Sequence, residues 1–151
     1  MISRIARDNF ARQLRLLVVG QISNYQFEDS LIEDRRDPAL HRIYMDGAWF
    51  LYDDLKEHRL TGKWKLEKEQ KRFVSRLLLF LKSDLPYEWV EPHWTTKIVL
   101  FLCGLLTLGV IPKYFYRSYW KKQGNMEIWP FYRQTDFESV LANPIYLNRK
   151  T

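Results

Sequence analysis

The sequence lacks the motifs by which most enzymatic and metal-binding sites are recognised. It has one cysteine, Cys103, and three histidines, and none of them stands in zinc-ligand spacing such as HExxH or paired CxxC motifs. It also has no glycine-rich phosphate loop and no GxSxG turn. The sequence therefore predicts no metal and no cofactor, and favours a protein that is not an enzyme.

The single cysteine and the charged first residues both indicate the cellular compartment of the protein. A lone thiol forms no internal disulfide, so a reducing compartment is expected. The opening segment MISRIARDNFARQ is charged from Arg4 onward and never becomes a continuous apolar region, unlike a secretory signal peptide. These features predict a cytoplasmic location, peripheral or anchored at the inner membrane if the apolar run described below contacts lipid.

The net charge of +6 belongs almost entirely to the second part of the chain. Residues 1–92 hold 16 Lys and Arg against 15 Asp and Glu, whereas residues 93–151 hold 8 against 3. We expect a neutral helical unit over 1–92 followed by a basic part over 93–151, together forming one folded domain. The basic excess favours an anionic partner for the second part, such as lipid headgroups, nucleic acid or an acidic protein.

Apolar residues at helical spacing predict an all-α fold of five to six helices. Ser23 and Gln26 have the form of a capping box, Asp37 and Pro38 form a second helix start, and Thr135 with Glu138 suggests another capping box. We expect a short extended piece in MEIWPFY, with Pro130 confining it to an edge. The predicted helices cover 2–19, 23–32, 37–58 and 66–82, then a hydrophobic helix, an aromatic-rich helix and a short helix over 135–141.

The segment Ile98–Ile111 is the longest apolar run, fourteen residues without a charge. As a helix it would be about 21 Å long, which is shorter than the roughly 30 Å hydrocarbon core of a bilayer. Counting from Trp94 to Tyr116 gives 23 residues, which would span if Pro112 were tolerated as a kink. The run alone is typical of a buried core helix or of an interfacial membrane segment.

The residues that follow the apolar run alternate aromatic rings with cations. Lys113, Arg117 and Lys121 recur at i, i+4 and i+8 and form one basic stripe on a helix. Rings beside such a stripe suit the lipid headgroup layer, and the same pattern suits single-stranded nucleic acid. The structural alternative is a core helix followed by an amphipathic surface helix. The predicted membrane or anion contacts are Trp94, Lys97, Lys113, Tyr114, Phe115, Arg117, Tyr119, Trp120, Lys121 and Lys122.

Two clusters in the first part of the chain are weaker candidates. Asp54 and His58 would face together four residues apart on a helix, which is the basis of an enzyme hypothesis. Ordinary surface ion pairs explain the same pattern. The acidic residues Glu28, Asp29, Glu33, Asp34, Asp53 and Asp54 form a candidate partner-binding surface, although neighbouring arginines neutralise part of it.

Several blocks of the chain together resemble a group of small bacterial proteins of unassigned function. These blocks are LRLLVVGQISNYQFEDSL, GAWFLYDDLKEHRLTG, LLLFLKSDLPYEW and MEIWPFYRQTDFESVLANP. The resemblance implies a bacterial cytoplasmic or inner-membrane protein and supplies no catalytic residues. We expect a non-enzymatic protein–protein interaction protein, membrane-associated through residues 94–122. An immunity protein that covers a cognate toxin is one protein of this kind. The alternatives are a soluble nucleic-acid-associated protein and an enzyme centred on Asp54 and His58.

Overall fold

A computed structural model of the protein describes residues 1–145, so the last residues of the predicted C-terminal tail lie outside the described range. Within that range the fold is all-α, with seven α-helices and no strand, as the periodicity predicts. The seven helices of this range exceed the predicted five to six. The helices are α1 (Arg4–Val18), α2 (Asn24–Asp29), α3 (Pro38–Asp46), α4 (Lys68–Lys82), α5 (Trp94–Leu106), α6 (Val110–Gln123) and α7 (Gln134–Ala142).

Two predicted helix starts are confirmed by their hydrogen bonds. The Ser23 hydroxyl accepts from the Gln26 amide at 3.2 Å, and the Gln26 side chain accepts from the Ser23 amide at 3.0 Å. Asp37 caps α3 by accepting from the Ala39 amide at 3.2 Å, with Pro38 in the first turn. Each cap satisfies amide groups that a helix leaves without internal partners.

The helix predicted over 37–58 is too long. Regular helix stops at Asp46, a 3-10 turn covers Ala48–Leu51, and residues 53–58 follow as a loop. Gly47 stands at the break, where a Cβ atom would lie 2.7 Å from the Ile43 carbonyl oxygen and 3.2 Å from the Trp129 ring. A glycine is favoured here because a side chain would clash with the Ile43 carbonyl oxygen, and the Trp129 indole packs closely against the same backbone.

The core lies between α1 and α4, which pack along their apolar faces. Leu14 and Leu17 of α1 are fully buried with Leu77 and Leu81 of α4. Complete burial of such a side chain contributes roughly 1.5–3 kcal/mol. These two helices therefore supply much of the stability of the body, and the other elements are arranged around them.

A buried ion pair fixes the start of α3 to α1. The Arg7 guanidinium donates to both carboxylate oxygens of Asp37, at 2.6 and 3.0 Å, and also to the Leu85 carbonyl oxygen at 2.8 Å. Burial by itself would raise the pKa of Asp37, but the hydrogen bonds from Arg7 and from the Ser3 amide outweigh it and hold that pKa below its ordinary value. Asp37 is therefore a charged residue inside the fold, and three segments of the chain meet at it.

The segment after α6 returns to the core, and it corrects two predictions. MEIWPFY is not extended: Met126–Ile128 forms a 3-10 turn, and Trp129 and Phe131 are buried in the same core as α1 and α4. The capping box predicted at Thr135 is also wrong, because α7 begins at Gln134 with Arg133 as its N-cap. The rings of the segment, not its backbone pattern, determine how it packs.

Candidate functional site

The apolar run and the aromatic-basic segment form a helical hairpin, which we define as residues 94–123. α5 and α6 pack against each other, and the end of α6 returns to the start of α5. There the Tyr119 hydroxyl donates to the Val90 carbonyl oxygen at 3.2 Å, and the Gln123 side chain accepts from the Val90 amide at 2.8 Å. The single membrane-spanning helix considered for Trp94–Tyr116 is therefore wrong, because the chain reverses its direction within it.

A short turn at residues 107–109 makes the reversal. The Gly109 amide donates to the Gly104 carbonyl oxygen at 3.0 Å, and the Thr107 hydroxyl donates to the Cys103 carbonyl oxygen at 2.7 Å. Leu108 and Gly109 both have left-handed backbone, with φ of 51° and 80°. This conformation comes easily to glycine and is uncommon for leucine. The turn satisfies the carbonyl groups of Cys103 and Gly104 and closes the tip of the hairpin.

A glycine allows the two helices to approach closely below this tip. A Cβ atom at Gly104 would lie 3.3 Å from Cγ of Pro112. Pro112 stands in the first turn of α6, where a missing N–H group costs nothing. The proline that the sequence suggested as a kink is thus part of a helix start.

Most apolar side chains of the hairpin are exposed. Leu100 is the only buried residue of α5 (Trp94–Leu106), and it does not belong to the core of the body. At the tip, Leu106 is 86% exposed and Leu108 is 95% exposed. Large contiguous apolar surfaces of this kind mark interaction sites. The other exposed apolar residues of the hairpin are Trp94, Ile98, Val99, Phe101, Leu102, Leu105, Val110, Ile111 and Tyr114.

The hairpin carries charge of one sign only. Between Pro92 and Met126 the sequence has five Lys and Arg residues and no Asp or Glu. Lys97, at the base, pairs with Glu91 just outside the hairpin. The other four, Lys113, Arg117, Lys121 and Lys122, are exposed, and no carboxylate within residues 1–145 pairs with them.

The predicted aromatic contacts divide into two groups. Trp94 is exposed like Tyr114. Phe115, Tyr119 and Trp120 are half-buried: Phe115 stacks on Tyr119 with ring centroids 5.8 Å apart, and Trp120 packs on Trp89 at 6.1 Å. Tyr119 and Trp120 hold the base of the hairpin to the body, and Phe115 packs within the hairpin. Of the predicted rings, Trp94 and Tyr114 therefore remain accessible.

The base of the hairpin is tied to the body around residues 89–91. Glu91 pairs with Arg42 of α3, and the Trp89 indole N–H donates to the Phe131 carbonyl oxygen at 3.1 Å. Gly124 lies against the Trp89 ring, where a Cβ atom would approach to 3.1 Å. The hairpin therefore projects from a fixed base, and Leu106 and Leu108 at its tip are almost wholly exposed.

The predicted acidic surface is only partly brought together. Glu28, Glu33 and Asp34 line one cavity of about 640 Å³, with a floor that includes Phe10 and Leu40. Asp34 is engaged by Arg36, which holds the pKa of Asp34 well below its ordinary value. Sequence inspection missed this cavity because Phe10 and Leu40 are far apart along the chain.

Asp53 and Asp54 lie on the neighbouring loop, and Asn24 of α2 holds this loop in place. The Asn24 side chain donates to the carbonyl oxygens of Asp53 and Lys56, at 2.9 and 3.1 Å, and accepts from the His58 amide at 2.8 Å. Asp29 is an exposed residue at the end of α2. The acidic residues of α2 and of the loop thus belong to neighbouring parts of the surface.

The side chains of Tyr44 and Tyr52 lie near Glu28. Burial raises the pKa of Tyr52, and the neighbouring Tyr44 and Glu28 raise it further. Burial also raises the pKa of Tyr44, and the negative charges of Glu28 and Asp54 add to it. Both phenols therefore stay neutral at physiological pH.

Asp54 and His58 do not form the arrangement on which the enzyme hypothesis depends. They lie on a loop rather than on a helix, so their four-residue spacing places them on no common face. The His58 ring contacts Lys56 O through Nδ1 at 2.7 Å and packs near the Trp64 ring at 4.2 Å. Neither residue lines the cavity beside Glu28 or the smaller cavity beside Phe80.

Membrane-spanning helices and metal-binding groups are both absent from residues 1–145. Of the helices within 1–145, none combines the length and the apolarity needed to cross a bilayer. In the same range no group of three His, Cys, Asp or Glu side chains is placed to hold a metal ion.

Comparison with known proteins adds no family to this description. The chain matches no protein-family model, and no curated protein or solved structure is significantly similar to it. The function is therefore inferred from the hairpin and its chemistry.

Proposed function

We propose that the protein is a non-enzymatic interaction protein that docks on an anionic membrane surface through the hairpin and presents its helical body to a protein partner. The observation that carries the proposal is the exposure of apolar side chains around the tip, next to unpaired cations. Acyl chains accept such side chains, and anionic headgroups accept the cations. A bacterial cytoplasmic membrane face is the location that this proposal implies.

The charge pattern favours lipid over an apolar groove of a protein. An anionic surface attracts each nearby Lys or Arg by about 1 kcal/mol, and a segment without carboxylates meets no opposing repulsion. Single-stranded nucleic acid would use the same cations but would need rings free to stack. Three of the five predicted rings pack against the body or against each other, which makes nucleic acid the weaker candidate.

The role of an immunity protein that covers a cognate toxin stays a proposal drawn from the sequence. The acidic residues Glu28, Asp29, Glu33, Asp34, Asp53 and Asp54 are the surface that such a partner would contact. A toxin gene directly upstream, whose product is neutralised on co-expression, would support this narrower role. Its absence would leave the membrane-docking proposal unaffected.

Vesicle flotation tests the membrane proposal. The protein should float with vesicles of mixed phosphatidylcholine and phosphatidylglycerol, and the triple variant Lys113→Gln, Arg117→Gln, Lys121→Gln should bind about 100-fold more weakly, since three cations contribute about 1 kcal/mol each. The control variant Lys65→Gln, Lys68→Gln, Lys71→Gln has the same net charge and alters only exposed residues of the body. It should bind like the unmodified protein.

Two results would contradict the proposal. Equal weakening by both triple variants would mean that net charge, not the hairpin, determines binding. Failure to bind vesicles, together with salt-dependent binding of single-stranded DNA or RNA, would favour the nucleic-acid alternative.

A further inference from the structure

We infer that the hairpin inserts into one leaflet only, with Leu106, Leu108 and Val110 as its deepest residues. This inference rests on the proposed function, because it describes how the same surface enters a bilayer. The exposed tip, the reversal of the chain and the positions of the cations each restrict the mode of insertion.

The length of the apolar part matches half of a bilayer. From Ile98 to the end of α5 at Leu106 the helix rises about 12 Å, while one leaflet of hydrocarbon is about 15 Å thick. The Val90 hydrogen bonds to Tyr119 and Gln123 hold both ends of the hairpin at the body. Both ends therefore stay on the same side of the membrane.

Part of the backbone at the tip is hydrogen-bonded within the hairpin and needs no water. Polar backbone groups in hydrocarbon must be satisfied internally. The Gly109 and Thr107 hydrogen bonds to the end of α5 achieve this for the carbonyl groups of Gly104 and Cys103. Leu108, which follows Thr107, then places its side chain outward with almost its whole surface exposed.

The cations set the orientation. On α5 the first charge is Lys97 at the base, whereas on α6 Lys113 follows the tip by about one turn. A hairpin perpendicular to the surface would carry Lys113 toward the acyl chains. An oblique hairpin with α5 deeper than α6 lets Lys113 extend to the headgroups beside Arg117, as long cationic side chains do at interfaces.

Site-directed spin labelling tests the depth. In a Cys103→Ser background, single cysteines at Leu108, Leu102 and Leu55 are labelled with a nitroxide, and circular dichroism checks that each variant is folded. With anionic vesicles the label at 108 should relax most with oxygen and least with an aqueous nickel complex. The label at 102 should be intermediate, and the label at 55, on the body, should remain open to nickel.

Three outcomes would overturn the inference. Nickel access at 108 in protein that floats with vesicles would mean surface binding alone, and the proposed function would stand. Relaxation at 108 by nickel trapped inside the vesicles would mean that the tip crosses both leaflets. Spin–spin broadening at 108 without vesicles would mean that a second copy covers the tip. If Leu108→Cys does not fold, a label at Val110→Cys measures the depth of the tip instead. Loss of flotation by all folded variants would contradict the proposed function rather than this inference.

Discussion

Replacing Leu108 with asparagine removes the most exposed apolar side chain of the tip at little cost to the fold. Leu108 is 95% exposed and has left-handed backbone, with φ of 51°. Asparagine is among the residues that tolerate this backbone, so Leu108→Asn should leave the turn intact. The midpoint of urea unfolding should stay the same or rise slightly.

Binding to vesicles should weaken markedly in the same variant. Full burial of a leucine side chain contributes roughly 1.5–3 kcal/mol, and every 1.4 kcal/mol is about a tenfold change in affinity. If Leu108 enters the acyl layer, we expect the partition coefficient of Leu108→Asn to fall about 10- to 100-fold. Co-sedimentation over a range of lipid concentrations measures this coefficient.

Leu55 provides a matched control. It is 87% exposed on the loop of the body, far from the hairpin along the chain. Leu55→Asn makes the same chemical change to overall hydrophobicity, and it should leave the partition coefficient unchanged. Equal effects of the two substitutions, or no effect of Leu108→Asn, would refute the assignment of the tip to lipid.

Three further predictions concern the body and the closure of the hairpin. Asp37→Asn leaves the Arg7 charge buried without its partner, and should lower the free energy of unfolding by about 3–5 kcal/mol at pH 7. The pKa of Asp37 is lower in the folded protein than the value of about 4 expected in the unfolded chain. The stability that the charged carboxylate contributes is therefore present above pH 4 and is lost as the pH falls further. The difference in unfolding free energy between Asp37→Asn and the unmodified protein should shrink in urea titrations toward pH 3. Burial raises the pKa of Tyr87 to about 12. The neutral phenol therefore contributes stability that is complete below about pH 10 and is lost as the pH rises through 12. In an absorbance titration at the phenolate band, Tyr87→Phe should lose this late step. Gly104→Val should force α6 away at Pro112 and speed hydrogen exchange of the α5 and α6 amides while those of α4 stay protected.

Each of these three has a control and a contrary result. Asp29→Asn alters an exposed carboxylate and should leave stability nearly unchanged, and an equal loss in both variants would contradict the importance of the buried pair. Retention of the late step in Tyr87→Phe would assign it to another tyrosine. Gly104→Ala should have a much smaller effect than Gly104→Val, and equal exchange rates in the valine variant and the unmodified protein would mean that the two helices do not need this close approach.

Local sequence signals determine much of the fold, and they succeed where the deciding contacts are near in sequence. The Ser23 capping box and the Asp37–Pro38 start depend on side chains within three residues of the amides they satisfy. The helix predicted over 66–82 is found at Lys68–Lys82 because its wide apolar stripe is buried in one core. Such features can be predicted from a single sequence.

The failures share a different cause, which is contact between distant residues. Gly47 is a local sign of the break, but the Leu77 and Trp129 side chains that pack against it lie far along the chain. The hairpin was missed for a related reason: Leu108 and Gly109 lie within an apolar run that is equally compatible with one helix. Gly109 was the only local signal of the turn, and its meaning depended on the helix pairing at Gly104 and Pro112.

The amide of Asn24 has a consequence for any partner of the body. Its side chain and backbone bind the strip of chain from Asp53 to His58, which has no regular structure of its own. The shape of that strip is thus fixed largely from the start of α2, where the fully buried Asn24 makes most of the hydrogen bonds and Ser23 and Tyr25 add one each. A partner that binds this strip would therefore also act on α2 through these hydrogen bonds. We expect the strip and α2 to move together, or to stay fixed together, when such a partner binds.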